Sequence, residues 1–317
     1  MNNYKKIATL ETHNNVQMIT ALRDGRIVSC GKTIDIWKEV DGKWGLDDIV
    51  EQTINWIYSV IQLSDGNLVS GRHDGTLKIW KEEEGTWRYE ATLEGHSDYV
   101  MSVIQLSDGR IASASKDKTI KIWKKVDGVW ICEHTLEGHS DCVMSVIQLS
   151  DGRIASASKD KTRKIWDLRR GVWICEHTLV GHTDVVYSII ELKDGRLVSA
   201  SYDKTIKIWK EVDGKWDWEQ TLFNDGYLFT AIAIKDDQFL ICGSGTSINI
   251  WEMEKTIGKD ELIQIGNGLS SKTIGNSTVI FDKDTNVIVE IICNQEIIYK
   301  YNVDIKDKDF NKDFNIE

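Results

Sequence analysis

Residues 93–135 read LEGHSDYVMSVIQLSDGRIASASKDKTIKIWKKVDGVWICEHT, and the next segment, residues 136–178, reads LEGHSDCVMSVIQLSDGRIASASKDKTRKIWDLRRGVWICEHT. The two segments agree at 37 of 43 positions. An Ile-Trp pair recurs along the chain at intervals of 42 or 43 residues, with its tryptophan at Trp37, Trp80, Trp123, Trp166, Trp209 and Trp251. Self-similarity at a fixed period of this length indicates one structural unit repeated many times.

Each repeat is predicted to form four short strands separated by turns. In residues 93–135 the strand-forming runs are VMSVIQL, IASAS, TIKIW and WICEHT, which we label strands a, b, c and d. The turns between them contain SDGR, KDK and KVDG, and Asp-Gly supplies the positive φ that a tight hairpin needs. One such sheet cannot bury both of its faces, so we expect the repeats to stack around an axis as the blades of a β-propeller.

Short motifs in these repeats resemble those of the WD-repeat family. Gly-His occurs at residues 95–96, 138–139 and 181–182, and in the same three repeats D-K-T-x-K-I-W ends at Trp123, Trp166 and Trp209. The resemblance covers residues 4–301 and implies an all-β, WD-repeat propeller of four-stranded antiparallel blades. It also implies a buried hydrogen-bonded group in each complete blade: His96, Ser113, Asp117 and Trp123 in blade 3; His139, Ser156, Asp160 and Trp166 in blade 4; His182, Ser199, Asp203 and Trp209 in blade 5. A buried carboxylate needs donors, and imidazole, hydroxyl and indole groups can supply or relay them.

Three blades depart from this pattern. Blade 2 keeps Ser70, Asp74 and Trp80 but has no Gly-His before them. Blades 1 and 6 have Gly31 and Gly245 where the aspartate should stand. We therefore expect these blades to be held by packing alone and to be locally weaker.

The number of blades depends on the residues after the last Ile-Trp pair. Residues 279–301 align with residues 103–123 if two extra residues are allowed, and residues 4–13 match residues 87–96. These matches predict seven blades in a single domain of residues 1–301, in which residues 4–9 complete the last blade. Six blades followed by a disordered extension is the alternative. Residues 302–317 are rich in Asn, Asp and Lys and are predicted to form a flexible tail.

Composition narrows the range of partners and compartments. The formal net charge is −11 and the isoelectric point is about 5.2, which argues against a general nucleic-acid binder because such binding depends on neutralising phosphates. The six cysteines show neither CxxC pairing nor zinc-ligand spacing, which favours a reduced protein. Neither a secretory leader nor an apolar run long enough to span a membrane is evident, so we expect a cytoplasmic protein without membrane contact.

The pattern of potential catalytic residues argues against an enzyme. Six of the seven histidines occupy repeated positions, whereas a catalytic histidine should be singular. Cys132 with His134, and Cys175 with His177, form two pairs that lie one blade apart and do not make a metal site. We expect no catalytic residue, no metal and no cofactor.

The resemblance also implies where a partner would bind. In WD-repeat proteins the d–a loops and the b–c turns line one end of the propeller, the top face, and partner contacts lie at set positions in both. Transferred by alignment, the loop positions are Trp56, Tyr58, Tyr99, Met101, Cys142, Met144, Val185, Tyr187, Tyr227 and Phe229, and the turn positions are His73, Lys116, Lys159 and Tyr202. Aromatic residues, methionine and a few cations are typical of interaction hot spots. Some of these side chains could instead pack between blades.

These observations favour a non-catalytic scaffold or adaptor, a monomeric ring that binds a protein or peptide on its top face. A substrate-recognition adaptor of a larger assembly, such as a ubiquitin ligase, is one alternative. An enzyme with its site in the central channel is another.

Two features of blades 3 and 4 stand apart. Residues 110–170 hold thirteen Lys or Arg against eight Asp or Glu, which predicts either a solvated basic surface or a site for an acidic partner or phosphate. Arg163 replaces the apolar residue found at Ile120 and Ile206. Arg163 is either a substitution without a charged partner and without a role, or part of an exposed contact.

Deleting residues 1–10 should lower the melting temperature if residues 4–9 close the last blade, because the deletion would remove one strand of that blade. Thermal unfolding of the deleted and the full-length chain measures this. An unchanged melting temperature would rule out the closure.

Overall fold

The computed structural model describes residue 10 and residues 15–234, 239–244, 247–252, 263–266, 269–274, 277–282, 288–293 and 296–300. Every regular element in these residues is a β-strand. Neighbouring strands pair antiparallel and follow one another in chain order across each sheet. The predicted all-β class and the four-stranded antiparallel blades are confirmed.

Five four-stranded blades occupy residues 18–223. Blade 1 comprises β1 (Met18–Ala21), β2 (Ile27–Cys30), β3 (Thr33–Val40) and β4 (Lys43–Gln52); blade 2 comprises β5 (Ile57–Gln62), β6 (Leu68–Arg72), β7 (Leu77–Glu83) and β8 (Thr86–Leu93). Blade 3 comprises β9 (Val100–Gln105), β10 (Ile111–Ser115), β11 (Ile120–Val126) and β12 (Val129–Leu136); blade 4 comprises β13 (Val143–Gln148), β14 (Ile154–Ser158), β15 (Arg163–Arg169) and β16 (Val172–Leu179). Blade 5 comprises β17 (Val186–Glu191), β18 (Leu197–Ser201), β19 (Thr205–Val212) and β20 (Lys215–Phe223).

The remaining strands form two further sheets. A three-stranded sheet contains the strands of blade 6, β21 (Thr230–Ile234), β22 (Phe239–Ser244) and β23 (Ser247–Glu252), and belongs to the compact unit of residues 1–253. A second compact unit, residues 254–317, contains a five-stranded sheet of β24 (Ile263–Gly266), β25 (Leu269–Ile274), β26 (Ser277–Asp282), β27 (Ile288–Cys293) and β28 (Glu296–Lys300).

The second unit differs in part from the repeat alignment. Strands β26, β27 and β28 fall where the alignment of residues 279–301 predicts three strands. Strand β25 pairs with β26 along its whole length, from Leu269 opposite Asp282 to Ile274 opposite Ser277, and this pairing was not predicted. Residues 4–9 and 302–317 lie outside the described residues, so the closing strand, the seven-blade count and the flexible tail stay predictions.

Small residues in the b strands let consecutive blades pack closely. Every residue of β6, β10, β14 and β18 is buried. Ala112 and Ala114 of blade 3 belong to one apolar cluster with Val143 and Val146 of blade 4. Blade 2 has Gly71 at the position that matches Ala114, and a Cβ added there would lie only 2.8 Å from a methyl carbon of Val100. The core is therefore a series of interfaces, each shared by two successive blades.

Repeated hydrogen bonds between blades accompany this packing. The backbone N–H groups of Ser64 and Ser107 donate to the side-chain oxygens of Gln105 and Gln148, each at 2.7 Å. The N–H of Ser150 donates in the same way to Glu191 at 2.7 Å. Each bond joins the a–b turn of one blade to strand a of the next, so neighbouring blades are fixed in a common orientation.

Arg163 lies inside the interface between blades 4 and 5, so its interpretation as an exposed contact is wrong. Its side chain has 0% exposure, and its guanidinium carbon lies 3.9 Å from the ring centroid of Trp209. One guanidinium nitrogen donates to the carbonyl of Lys161 at 3.4 Å, while Nε and Nη2 have no hydrogen-bond partner among the described residues. Burial lowers the pKa of Arg163 to about 9, so the group is charged at pH 7. A buried cation therefore occupies a position at which blades 3 and 5 have isoleucine.

Arg163→Ile should stabilise the protein by about 1–4 kcal/mol, because an apolar side chain removes the cost of burying an incompletely bonded charge. Urea denaturation at pH 7 measures the free energy of unfolding. A variant less stable than the natural chain would show that stacking on Trp209 outweighs desolvation.

The matched control is Ile120→Arg, which places the same side chain in the interface between blades 3 and 4. We expect it to destabilise the protein, since no carboxylate in the described part of the chain forms an ion pair with Arg163 and the near-identical repeat offers no better environment.

Candidate functional site: the top face

The four side chains of the implied polar group come together in blade 3. The ring nitrogens of His96 lie 2.7 Å from the Asp117 carboxylate and 2.8 Å from the Ser113 hydroxyl. The indole N–H of Trp123 donates to the same hydroxyl at 2.8 Å. The equivalent distances are 2.7–2.9 Å in blades 4 and 5, where the groups are His139, Ser156, Asp160 and Trp166, and His182, Ser199, Asp203 and Trp209.

Burial and hydrogen bonding set the charge of these groups, as blade 4 shows. Burial lowers the pKa of His139 despite the adjacent Asp160, which favours a neutral imidazole at pH 7. Ser156 already accepts from Trp166, so its hydroxyl donates to Nε2 of His139, and the Nδ1–H of His139 donates to Asp160. Burial would raise the pKa of Asp160, but the hydrogen bonds from His139 and Thr162 hold it well below its usual range. A carboxylate and a neutral histidine thus belong to one chain of hydrogen bonds.

Each group fastens a d–a loop to a b–c turn, the two segments that form the top face. In blade 3 the backbone N–H of Ser97, in the loop, donates to Asp117, in the turn, at 3.1 Å. A backbone hydrogen bond of 2.8–2.9 Å also joins the two segments in each of blades 2 to 5. The N–H of the predicted partner residue in the turn donates to the carbonyl of the first predicted partner residue in the loop: His73 to Trp56, Lys116 to Tyr99, Lys159 to Cys142, and Tyr202 to Val185. The two sets of predicted partner positions are therefore held side by side on rigid backbone.

Blade 2 uses a different polar network, so the expectation that packing alone holds it is wrong. The buried Arg72 guanidinium forms an ion pair with Glu51, and Lys78 pairs with the same carboxylate at 2.8 Å. Arg72 also donates to the hydroxyl of Thr53 at 3.3 Å and lies 3.4 Å from the carboxylate of Asp74. Thr53 stands where blades 3 to 5 have histidine. The loop and the turn are thus still tied together, by a salt-bridged arginine instead of an imidazole.

The sequence did contain a signal for this substitution. Glu51 and Arg72 align with Glu94 and Ser115 of blade 3, and Arg72 is the one charged residue at that position in blades 2 to 5. A cation in a strand of small residues, together with a missing histidine, indicates a replacement ion pair. The prediction failed because it treated the missing histidine as a deletion.

Three predicted positions of blades 2 and 3 form a first aromatic cluster, Tyr58, His73 and Tyr99. The rings of His73 and Tyr99 stack with centroids 3.6 Å apart, and Tyr58 stacks on Tyr99 at 5.9 Å. The ammonium of Lys116 lies 4.0 Å from the Tyr99 ring centroid and 3.4 Å from the carboxylate of Asp98. This cluster therefore carries its own cation.

Four predicted positions of blades 5 and 6 form a second aromatic cluster, Tyr187, Tyr202, Tyr227 and Phe229. Tyr202 and Tyr227 stack in parallel with centroids 3.9 Å apart, and Phe229 meets Tyr187 edge-on at 5.1 Å. Tyr227 and Phe229 are each 45% exposed, while Tyr187 and Tyr202 are half-buried. Such a set leaves several aromatic faces and edges open to a partner.

The other predicted partner residues differ in how far they are exposed to solvent. Trp56, Met101, Met144 and Val185 are half-buried, and Lys159 is exposed. Cys142 is buried and its thiol donates to the sulfur of Met144 at 3.4 Å. Burial raises the pKa of Cys142 to about 12, so it remains a protonated thiol. The alternative that some of these side chains pack inside the fold holds for Cys142.

Six of the thirteen basic residues in residues 110–170 form ion pairs with carboxylates of the described residues. Arg110 pairs with Asp108 and Glu133, and Arg153 pairs with Glu211 of the next blade at 2.6 Å. Arg169 pairs with Asp167 at 2.7 Å. This pattern favours a solvated, ion-paired surface over a phosphate site.

Within the described residues, no three potential ligands cluster closely enough to hold a metal ion. No helix there is long and apolar enough to cross a membrane.

The model of the WD domain, G-beta repeat family matches residues 51–81, 87–124, 130–167 and 173–210. Each match ends in strand c of one of blades 2 to 5, and the last three matches begin in strand d of the preceding blade. The chain belongs to the WD-repeat family. No curated protein matches its sequence. WD-repeat propellers generally bind protein partners and are generally not enzymes, so protein interaction is the coarse function that membership supports.

Lowering the pH from 7 to 5 should reduce the free energy of unfolding. The pKa values of His139 and His182 are lowered in the folded protein, so these two groups take up protons at a higher pH in the unfolded chain, near pH 6.5, than in the folded one. A further loss should follow below about pH 4, because the carboxylates of Asp117, Asp160 and Asp203 have lowered pKa values in the fold. Urea denaturation at a series of pH values measures both steps.

A variant carrying His139→Gln and His182→Gln serves as the control, because glutamine cannot take up the proton. Its stability should change less than that of the natural chain between pH 7 and 5. Equal slopes would contradict the assignment.

Proposed function

We propose that this protein is a non-catalytic interaction scaffold that captures a protein or peptide partner on the top face of the propeller. The observation that carries the proposal is the pair of aromatic clusters at this end of the blades. Seven rings at loop and turn positions do not contribute to the apolar clusters between blades, and two of them are nearly half exposed. Aromatic side chains of this kind supply large contact area at low cost in conformational entropy.

The geometry beneath the clusters supports the same conclusion. The side chains project from segments that are tied together by the backbone bonds between loop and turn and by the buried polar groups. A face held in this way needs little reorganisation when a partner binds. We also propose that the protein is cytoplasmic, that it is a monomer, and that its propeller spans residues 1–301.

Alanine at Tyr58, Tyr99, Tyr187 and Phe229 together should abolish partner capture, because it removes two rings from each cluster. Cross-linking followed by affinity purification and mass spectrometry, with the natural chain as reference, measures capture. Circular dichroism and the urea midpoint should stay close to natural values, since these rings do not belong to the apolar clusters that form the core.

The matched control places four alanines at the opposite end of the blades, at Val40, Val129, Val172 and Val212, which lie in c–d hairpins and are 56–63% exposed. This variant should capture the same partners as the natural chain. Unchanged capture by the top-face variant would refute the proposed function.

A further inference from the structure

Blade 3 contains a small cation site that its own chain fills. Asp98 accepts a hydrogen bond from the backbone N–H of Tyr99 at 2.9 Å, which orients its carboxylate. The second oxygen of this carboxylate lies 3.4 Å from the ammonium of Lys116, and the same ammonium lies 4.0 Å from the Tyr99 ring centroid. Carboxylate and aromatic face thus hold one cation between them.

Blade 5 has the equivalent carboxylate, Asp184, but lacks a lysine at the equivalent turn position. Asp184 accepts from the N–H of Val185 at 2.8 Å, and the backbone bond from Tyr202 to Val185 repeats the bond from Lys116 to Tyr99. Tyr202 occupies the position of Lys116, so the side chain that would neutralise Asp184 is an aromatic ring. Asp184 forms no ion pair with any residue in the described part of the chain.

In blade 5 an aromatic ring, Tyr202, stands at the position of the lysine and contacts further aromatic rings. Tyr202 belongs to the second aromatic cluster and contacts its three other rings, with centroid distances of 3.9–6.2 Å. Burial, then the neighbouring Tyr202 and then the carboxylate of Asp184, raise the pKa of Tyr187, so the carboxylate lies within electrostatic reach of the cluster. The ammonium of Lys204 already lies 5.2 Å from the Tyr227 ring centroid, which shows that a cation is tolerated beside these rings.

We propose that Asp184 and the second aromatic cluster bind the cationic side chain of a lysine or arginine presented by the protein partner. This inference rests on the proposed function and names the chemistry of one contact within it. An anionic side chain is disfavoured there, because it would face Asp184, and a purely apolar one would desolvate that carboxylate without supplying an opposite charge. Beside the first aromatic cluster the carboxylate of Asp98 is already paired with Lys116, so it does not offer a second cation the same charge.

The test uses the full chain and a displayed library of random twelve-residue peptides. Peptides selected on the natural chain should be enriched in lysine or arginine, and replacing that residue by glutamine should weaken binding about tenfold or more. Asp184→Asn should weaken the same peptides to a similar degree, and the glutamine replacement should then have little further effect. Asparagine can still accept from the N–H of Val185, so the loop is expected to stay folded.

A second variant, Tyr202→Lys, recreates the arrangement of blade 3 and should block the site with an internal cation. Its matched partner, Lys116→Tyr, alters the equivalent turn of blade 3 and should leave the selected basic peptides bound. The urea midpoint of each variant checks that it folds.

The outcomes separate the inference from the proposed function. Peptides that lose binding in the four-alanine top-face variant but show no dependence on their cation or on Asp184 would overturn the inference and leave the proposed function standing. Selected peptides that bind the four-alanine variant unchanged, or a library that yields no binder at all, would count against both.

Discussion

One hydrogen bond recurs in all five four-stranded blades, from the indole N–H of the strand-c tryptophan to a serine of strand b. The donor–acceptor pairs are Trp37 and Ser29, Trp80 and Ser70, Trp123 and Ser113, Trp166 and Ser156, and Trp209 and Ser199, at 2.8–3.2 Å. Tryptophan supplies a large buried surface, but its N–H must find an acceptor once it leaves water. Serine is small enough for the crowded central strand and provides that acceptor. The blade therefore depends on both residues occurring together.

The blades differ in the polar group that lies next to this serine and joins the loop to the turn. In blades 3 to 5 a histidine ring lies 2.8 Å from the serine hydroxyl and within 2.7–2.8 Å of an aspartate carboxylate. In blade 2 the histidine is absent, and Arg72 with Glu51 joins the loop to the turn instead. Histidine with aspartate and arginine with glutamate both satisfy buried polar groups, so the backbone at the top face is held in either case.

Near-identical repeats make the top face asymmetric through a few substitutions. At the turn position, blades 3 and 4 carry Lys116 and Lys159, whereas blade 5 carries Tyr202. Because neighbouring blades place these positions side by side, one lysine-to-tyrosine change is enough to extend an aromatic surface from blade 5 to Tyr227 of blade 6. The repeated backbone supplies the frame, and the variable side chains decide which chemistry each sector offers.

Much of the fold could be predicted because the repeat places the same residue types at the same offsets. The spacing of the tryptophans, the Asp-Gly turns and the small b strands determined the strand order, since this depends on local pairing within one blade. The resemblance to the WD-repeat family supplied the members of the buried groups. The burial of Arg163, the pair of Arg72 with Glu51 and the division of the aromatic residues into two clusters were decided only by the tertiary structure. Each of these depends on contacts between side chains of different blades, and neither period nor composition specifies which of those side chains meet.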